Sequence, residues 1–268
     1  MNKPNVVWIT GASSGIGEAL AVQYASAGSS LVLSARQQTE LERVREVCVE
    51  QGAFADSIMV LPLDVTKFDS MPVAVDAVVR KFGSVDILIN NAGISQRSLF
   101  VDTDISVYQT IFAVDVMGPI ALTKLVLPIM LNKGKGHIVV TSSIAGKMGV
   151  PYRTGYCAAK HAVIGFFDSL RAELHDTGVQ VSCILPGFVR TGISEQAVTG
   201  DGSVFGVTDV NIQGGMDPNE CARQIIRNLD KGKSEFSVSQ GMEKHALWLN
   251  RAFPGLIRKM SHKFGKPE

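Results

Sequence analysis

Tyr156 and Lys160 stand four residues apart in the run Tyr156-Cys157-Ala158-Ala159-Lys160, with Ser143 thirteen residues upstream of the tyrosine. On a helix, an i, i+4 spacing puts both side chains on one face. A cation held beside a phenol favours the phenolate, drawing a group of ordinary pKa about 10 towards the range where it exchanges protons near neutrality. The chemistry implied is general acid and base catalysis. Taken alone, the spacing is equally that of a surface pair, so the surrounding elements must supply the context.

Short runs rich in Val, Ile and Leu, bounded by Gly, Pro or Asp, alternate with longer helical patterns, the signature of repeated βαβ units. Strands are expected over 6–10, 31–34, 58–63, 87–90, 137–142, 179–185 and 235–239. Helices are expected over 15–27, 40–51, 70–82, 107–131, 155–176 and 218–230. The fold class is therefore α/β: a single-domain, doubly wound parallel sheet of Rossmann type with helices on both faces and a helical C-terminal tail. Right-handed crossovers place the ligand crevice at the carboxyl ends of the strands. Residues 1–241 are assigned to the dinucleotide-binding domain, and residues 242–268 to an amphipathic tail. The Gly-rich stretch 192–215 breaks the alternation and reads as a mobile substrate loop or lid.

The 268 residues, 46% hydrophobic and 19% charged, suit one globular domain with a substantial core. A formal net charge of +1 gives no reason to expect a nucleic-acid partner. Cys48, Cys157, Cys183 and Cys221 lack paired spacing and read as packing thiols of a reducing compartment, so a cytoplasmic protein is expected. His137, His161 and His175 do not form a metal-binding pattern, and no metal is expected. The first apolar stretch, 6–9, is too short for a signal peptide. No run of eighteen or more apolar residues occurs, so no helix is expected to span a bilayer.

The turn Thr10-Gly11-Ala12-Ser13-Ser14-Gly15-Ile16-Gly17 follows the first expected strand and opens the first helix. Its glycines allow a tight turn and close approach of backbone N–H groups to a pyrophosphate, a dinucleotide site. The second strand ends Ser34-Ala35-Arg36, where an NAD site would carry a carboxylate for the ribose 2′-hydroxyl. Arg36, with Ser13 or Ser14, instead suits a 2′-phosphate and favours NADP(H), the alternative being an ordinary surface arginine. Asp64 and Val65 end the third strand, where a carboxylate can accept from an adenine amino group and Val65 can cover the ring; Asp64 as a turn or cap residue is the alternative. Asn90-Asn91-Ala92-Gly93 closes the fourth strand, its small residues leaving space for a cofactor and its amides able to tie neighbouring loops.

This ordered set, with Pro186-Gly187, resembles the short-chain dehydrogenase/reductase family over essentially the whole chain. The resemblance implies that Tyr156 protonates the substrate carbonyl oxygen as hydride arrives, that Ser143 hydrogen-bonds that oxygen, and that Lys160 holds the nicotinamide ribose. It also implies that Pro186, Gly187, Val189 and Thr191 lie at the nicotinamide, while Tyr152, the rival phenol, lines the substrate pocket. One position departs from the family pattern: Asp115, in Val114-Asp115-Val116-Met117-Gly118, stands where the family usually has asparagine. The change adds charge at nearly constant shape, and Asp115 is expected to pair with Lys160 or to be partly protonated, altering the pH dependence without abolishing activity; the alternative is a tolerated substitution with no kinetic consequence.

Within the family, the segments 155–162, 165–174 and 253–256 look most like the branch of dehydrogenase/reductase member seven, related to the 11β-hydroxysteroid dehydrogenases. Relatives often assemble through the two long helices, so a homodimer or homotetramer is implied. In the tail, Leu247, Trp248, Leu249, Phe253, Leu256, Ile257 and Met260 interleave with Lys244, Arg251, Arg258, Lys259 and Lys263. Such a helix either packs on its own core or a partner subunit, or lies peripherally on a membrane. The expected activity is NADP(H)-dependent interconversion of an apolar ketone or aldehyde and its alcohol; the alternative is a non-catalytic NADP(H) sensor or scaffold.

Overall fold

The structure, a computed structural model, describes residues 5–241 and 243–261. Seven strands, β1 (Val6–Thr10), β2 (Ser30–Ser34), β3 (Ile58–Val60), β4 (Ile87–Asn90), β5 (Gly136–Thr141), β6 (Val179–Pro186) and β7 (Glu235–Val238), form one sheet. Its order is β3-β2-β1-β4-β5-β6-β7 and every pairing is parallel. Chain direction across the sheet reverses between β1 and β4, which opens a crevice at their carboxyl ends.

Alternate residues of each strand feed separate cores, because side-chain direction has a period of two. Trp8, Val32, Leu88, Ile138, Val140 and Val181 face one layer of helices. Ile9, Leu31, Leu33, Ile89, Val139 and Ile184 face the other. Burial on both faces is why these strands read as continuous apolar runs. Trp8 is fully buried, and its indole Nε1 donates to Ser34 Oγ at 2.9 Å, joining β1 to β2.

The helices that build the site are α1 (Gly15–Ser26), α2 (Gln38–Glu50), α3 (Met71–Phe82), α4 (Ile105–Phe112), α5 (Gly118–Lys133) and α6 (Thr154–Glu173). A π-helical segment, Ala113–Met117, joins α4 to α5, giving one continuous helix over Ile105–Lys133. By length and composition this helix could cross a membrane, with a mean hydropathy of 1.7 over its best window, so the expectation that none could is corrected. Its apolarity has a structural cause: Ile111, Leu122, Val126 and Met130 are fully buried, and α5 packs against β4 and β5.

Strand β3 stops at Val60, earlier than expected, although Leu61 N and Leu63 N still donate to Leu33 O and Ala35 O at 2.9 Å. Pro62 interrupts the regular ladder because it has no N–H. The stretch 192–215, read as a substrate loop, makes backbone hydrogen bonds with the chain after β4: Val198 N donates to Ser95 O, Arg97 N to Val198 O and Asp104 N to Gly200 O. It also carries a short helix, α7 (Val210–Gln213), ahead of α8 (Pro218–Asp230). Two tail helices follow, α9 (Glu243–Ala252) and α10 (Pro254–Met260), while Met242 and Lys263 of the expected tail lie outside the described residues.

Candidate active site

The β1–α1 turn has the backbone that its glycines predict. Gly11 and Gly15 adopt φ values of +66° and +58°, where a side chain would strain the chain. Gly17 packs so closely on Gly11 O that a Cβ would overlap it. Thr10 Oγ1 accepts from Asn91 N at 3.0 Å and from Ala92 N at 3.1 Å, and Asn91 Nδ2 donates to Gly11 O at 3.3 Å. Asn91 therefore ties the two turns together across the crevice. Ser14 caps α1 by position in an extended conformation, with no side-chain capping bond, while Ser13 and Ile16 lie half-buried beside it. Thr191 Cγ2 would meet a Cβ on Gly15 at 2.8 Å, so the chain after β6 reaches the same turn. A cradle of glycine backbone at a helix N-terminus fits the pyrophosphate of a dinucleotide.

Arg36 is exposed just beyond β2. Nearby, Asp64 Oδ1 accepts from Thr66 N at 2.9 Å and from Thr66 Oγ1 at 2.7 Å, which is the turn arrangement weighed as its alternative. Burial pushes the Asp64 carboxyl up, but these bonds with the charges of Arg36 and Lys67 outweigh it and hold it below the usual range. Val65 is buried against Gly118, where a Cβ would lie 2.9 Å from its own. Arg43, which sequence reasoning passed over, makes a fork to Glu18 at 2.8 Å and donates to Ser13 O at 3.1 Å.

At the carboxyl ends of β4 and β5 the residues of the candidate acid/base unit meet. Lys160 is buried, its Nζ donating to Thr141 O at 3.1 Å and lying 5.5 Å from the Tyr156 ring centroid. Asp115, 1% exposed, sits on the π-helical segment with Oδ2 3.0 Å from Lys160 Nζ, an ionic contact without hydrogen-bond angles. Its Oδ1 accepts from Ile94 N at 2.8 Å, and Gly93 leaves room for the pair, since a Cβ there would lie 3.2 Å from Lys160 Nζ. The expected pairing of Asp115 with Lys160 is therefore present. Burial pushes the Asp115 carboxyl up, and Lys160 only partly restrains it. Burial pulls Lys160 down, but Asp115 and Tyr156 together outweigh this and hold its ammonium above the ordinary value.

Ser143 follows β5 in extended backbone; its Oγ accepts from Ala145 N at 3.1 Å and reaches Pro186 O at 3.5 Å. Beside it, Ser142 Oγ donates to Lys160 O at 2.8 Å, pinning α6 to the strand end. Tyr156 is buried against Ala145 and Cys157. Tyr152 is half-buried with φ +62°, the left-handed region that a bulky residue avoids, and is alone in this among the described non-glycine residues. Its carbonyl accepts from Ser98 N at 3.1 Å.

The tail reaches this region too. Phe188 N donates to Glu243 Oε2 at 2.8 Å, and Asn250 Nδ2 donates to Lys147 O at 2.8 Å. Gly187 lies so near the Glu243 carboxylate that a Cβ would overlap it, and Val189 is buried beside it. Burial raises the Glu243 carboxyl above its ordinary value. Ile257 is buried, whereas Trp248 and Phe253 are exposed and meet edge to face at 6.3 Å.

Residues 5–201 match the family model for short chain dehydrogenases. The chain is 41% identical to human (Homo sapiens) dehydrogenase/reductase SDR family member 7 over 263 residues, covering 97% of this chain and 78% of that protein. Among solved structures, a short-chain dehydrogenase from Streptomyces avermitilis is similar, with a TM-score of 0.83 and 28% identity over 99% of this chain and 100% of that one. An alcohol dehydrogenase from the archaeon Thermococcus sibiricus, complexed with 5-hydroxy-NADP, is similar with a TM-score of 0.74 and 27% identity, covering 88% of this chain and 97% of that one.

Proposed function

The chain belongs to the short-chain dehydrogenase/reductase family, in the branch of family member 7, and from this we propose that it is an NADP(H)-dependent oxidoreductase interconverting a ketone or aldehyde and an alcohol. The observation that carries the reading is the buried Lys160 ammonium held beside the Tyr156 ring at the strand ends, next to the glycine turn. A nicotinamide dinucleotide supplies the hydride when bound. Tyr156 Oη donates the proton to the carbonyl oxygen as negative charge grows there, and Ser143 Oγ hydrogen-bonds the same oxygen. Both act through interactions stronger in the transition state than in the ground state. Lys160, fixed by Thr141 O and Asp115, keeps a positive charge facing the phenol as its proton leaves. Asn91 and Ala92 against Gly11, Thr191 against Gly15 and Gly93 beside Lys160 would hold the dinucleotide between the glycine turn and this centre.

Arg36 supports NADP(H) over NAD(H), as an exposed guanidinium beyond β2 where an NAD site would carry a carboxylate. The exposed apolar side chains Leu99, Phe100, Val204 and Val207, flanking the 192–215 segment and its contacts, support a substrate with an apolar body. Tyr156→Phe tests the reading: NADPH binding is retained while carbonyl reduction falls about a hundred- to ten-thousandfold. Residual turnover near wild type would refute it. Exposed Trp248 and Phe253 beside exposed Arg251, Arg258 and Lys259 support peripheral contact of the tail with an anionic membrane. Flotation with anionic liposomes, lost on Trp248→Ser, is the expected result.

A further inference from the structure

Helix α6 begins at Thr154, and Tyr156 stands in its first turn. The first N–H groups of a helix have no carbonyl within it to bond, and an N-cap side chain ordinarily accepts from one of them, as Asp217 does from Asn219 N and Glu220 N at the start of α8. Arg153, the N-cap of α6, makes no side-chain capping bond. The acceptor comes instead from 59 residues away: Gly155 N donates to Gln96 Oε1 at 2.7 Å. Gln96 follows β4 and is fully buried. That bond orients its amide, because a backbone N–H can only donate, and Nε2 is left to donate to Ser98 Oγ at 3.1 Å and Thr103 Oγ1 at 3.3 Å. Gly155 lets the amide approach, since a Cβ there would lie 3.0 Å from Gln96 Oε1 and 2.8 Å from Tyr108 Cδ1.

The backbone around Gln96 is engaged as well. Gln96 forms a parallel bridge with Val198, flanked by Val198 N donating to Ser95 O at 2.9 Å and Arg97 N donating to Val198 O at 2.8 Å. Two residues on, Ser98 N donates to Tyr152 O at 3.1 Å, and Tyr152, at φ +62°, is the second residue before α6. We propose that Gln96 is a positioning residue that aims the Tyr156 phenol by capping α6 from outside the helix, and that it couples this aim to the seating of the 192–215 segment. The assignment rests on the oxidoreductase reading, in which Tyr156 gives the proton. Proton transfer needs heavy atoms within about 2.6–3.2 Å of each other, and a misplacement of about 1 Å costs about a hundredfold in rate. Lys160 is fixed separately, by Thr141 O and Asp115, so loosening the first turn of α6 moves the phenol against a stationary ammonium. The glycine turn lies on another segment, between β1 and α1, so the effect falls on the chemical step and not on cofactor affinity.

The test uses the full chain. Fluorescence titration with NADPH counts competent sites, turnover of nonanal, benzaldehyde and cyclohexanone is expressed per such site, and hydrogen exchange on the NADP+ complex follows peptides covering 154–160 and 195–200. Gln96→Met, near in size but without the acceptor, should keep NADPH affinity within about threefold and lower kcat per site about ten- to a hundredfold. Exchange in both peptides should rise about fivefold or more, with residues 11–17 unchanged. Gln96→Glu, whose carboxylate accepts from Gly155 N and from both hydroxyls, should recover about a third or more of the wild-type kcat. A merely structural role would reduce the number of competent sites and leave kcat per site unchanged. That result, or faster exchange in one peptide without the other, overturns the proposal. Should Gln96→Met fail to fold, Thr103→Val removes one acceptor of the Gln96 amide and should show the same split at about threefold, while an unchanged kcat per site overturns the proposal. If the wild type reduces none of the three carbonyls, the oxidoreductase reading falls, and the exchange data still decide: a joint rise upholds the coupling through Gln96 and its absence refutes it.

Discussion

Replacing Asp115 by asparagine keeps the side chain's shape and an acceptor for Ile94 N, but removes the charge 3.0 Å from the Lys160 ammonium. At that distance and an effective dielectric of about 20, Coulomb's law makes the lost attraction about 5.5 kcal/mol. Much of it is offset, because a buried carboxylate no longer has to be stripped of water and Thr141 O still accepts from Lys160. A net change of about 1–2 kcal/mol is expected, equivalent to about one pH unit in the ionisation of the coupled group. The sign follows from Lys160, which burial pulls down and Asp115, with Tyr156, holds above the ordinary lysine value. A raised lysine contributes stability that is complete below its unfolded value and is lost as pH rises through the folded one. Without the carboxylate the ammonium is lost earlier. The plot of log kcat/KM for alcohol oxidation should therefore turn down about one pH unit lower in Asp115→Asn than in the wild type. Asp115 itself works in the opposite range: a carboxyl raised by burial makes the fold weaker as pH climbs out of the acid range, and asparagine removes that slope. Stopped-flow rates and urea denaturation, each across pH, read the two arms. Superimposable profiles in both would refute the coupling.

Two further substitutions test the frame around this centre. Arg36→Ala should lower the ratio of kcat/KM for NADPH over NADH by about ten- to a hundredfold, the worth of about 1.5–3 kcal/mol for a charge-assisted bond; an unchanged ratio would mean that another group reads the 2′-position. Trp8→Phe leaves Ser34 Oγ without its indole donor inside the sheet, and should cost about 1–3 kcal/mol in urea denaturation. Its cofactor affinity should stay within a factor of two or so of wild type, because Trp8 faces the helix layer and not the crevice.

The parts of this protein legible in its sequence are those written in local pattern. The apolar runs of β1, β2, β4, β5 and β6 announce strands buried on both faces, and the glycine turn and the four-residue step from Tyr156 to Lys160 announce a cofactor cradle and a one-faced pair. Asp115 could be suspected as a partner of Lys160 only because one residue type departed from an otherwise familiar pattern. What stayed hidden are contacts between distant segments, which leave no periodic trace. Arg43 meets Glu18 across 25 residues, Arg153 meets Asp209 across 56, and Phe188 meets Glu243 across 55. The contacts of 192–215 were hidden for the same reason: its hydrogen bonds with Ser95, Arg97 and Asp104 join segments about a hundred residues apart.

The π-helical segment at Ala113–Met117 has a consequence for how this helix can change length. A π turn holds one residue more than an α turn, in effect a tolerated insertion. Deleting a single residue there would restore an α-helix with its two halves still nearly in phase, because the wider turn already absorbs the extra residue, whereas a deletion in the regular helix on either side would rotate one half by about 100° against the other. In that second case the buried stripe running from Val107 and Ile111 to Leu122 and Val126 would turn off the sheet along part of its length. The π segment is thus the one place in this helix where a change of length is absorbed without disturbing the packing of either half, and it is also the place that carries the carboxylate of the site.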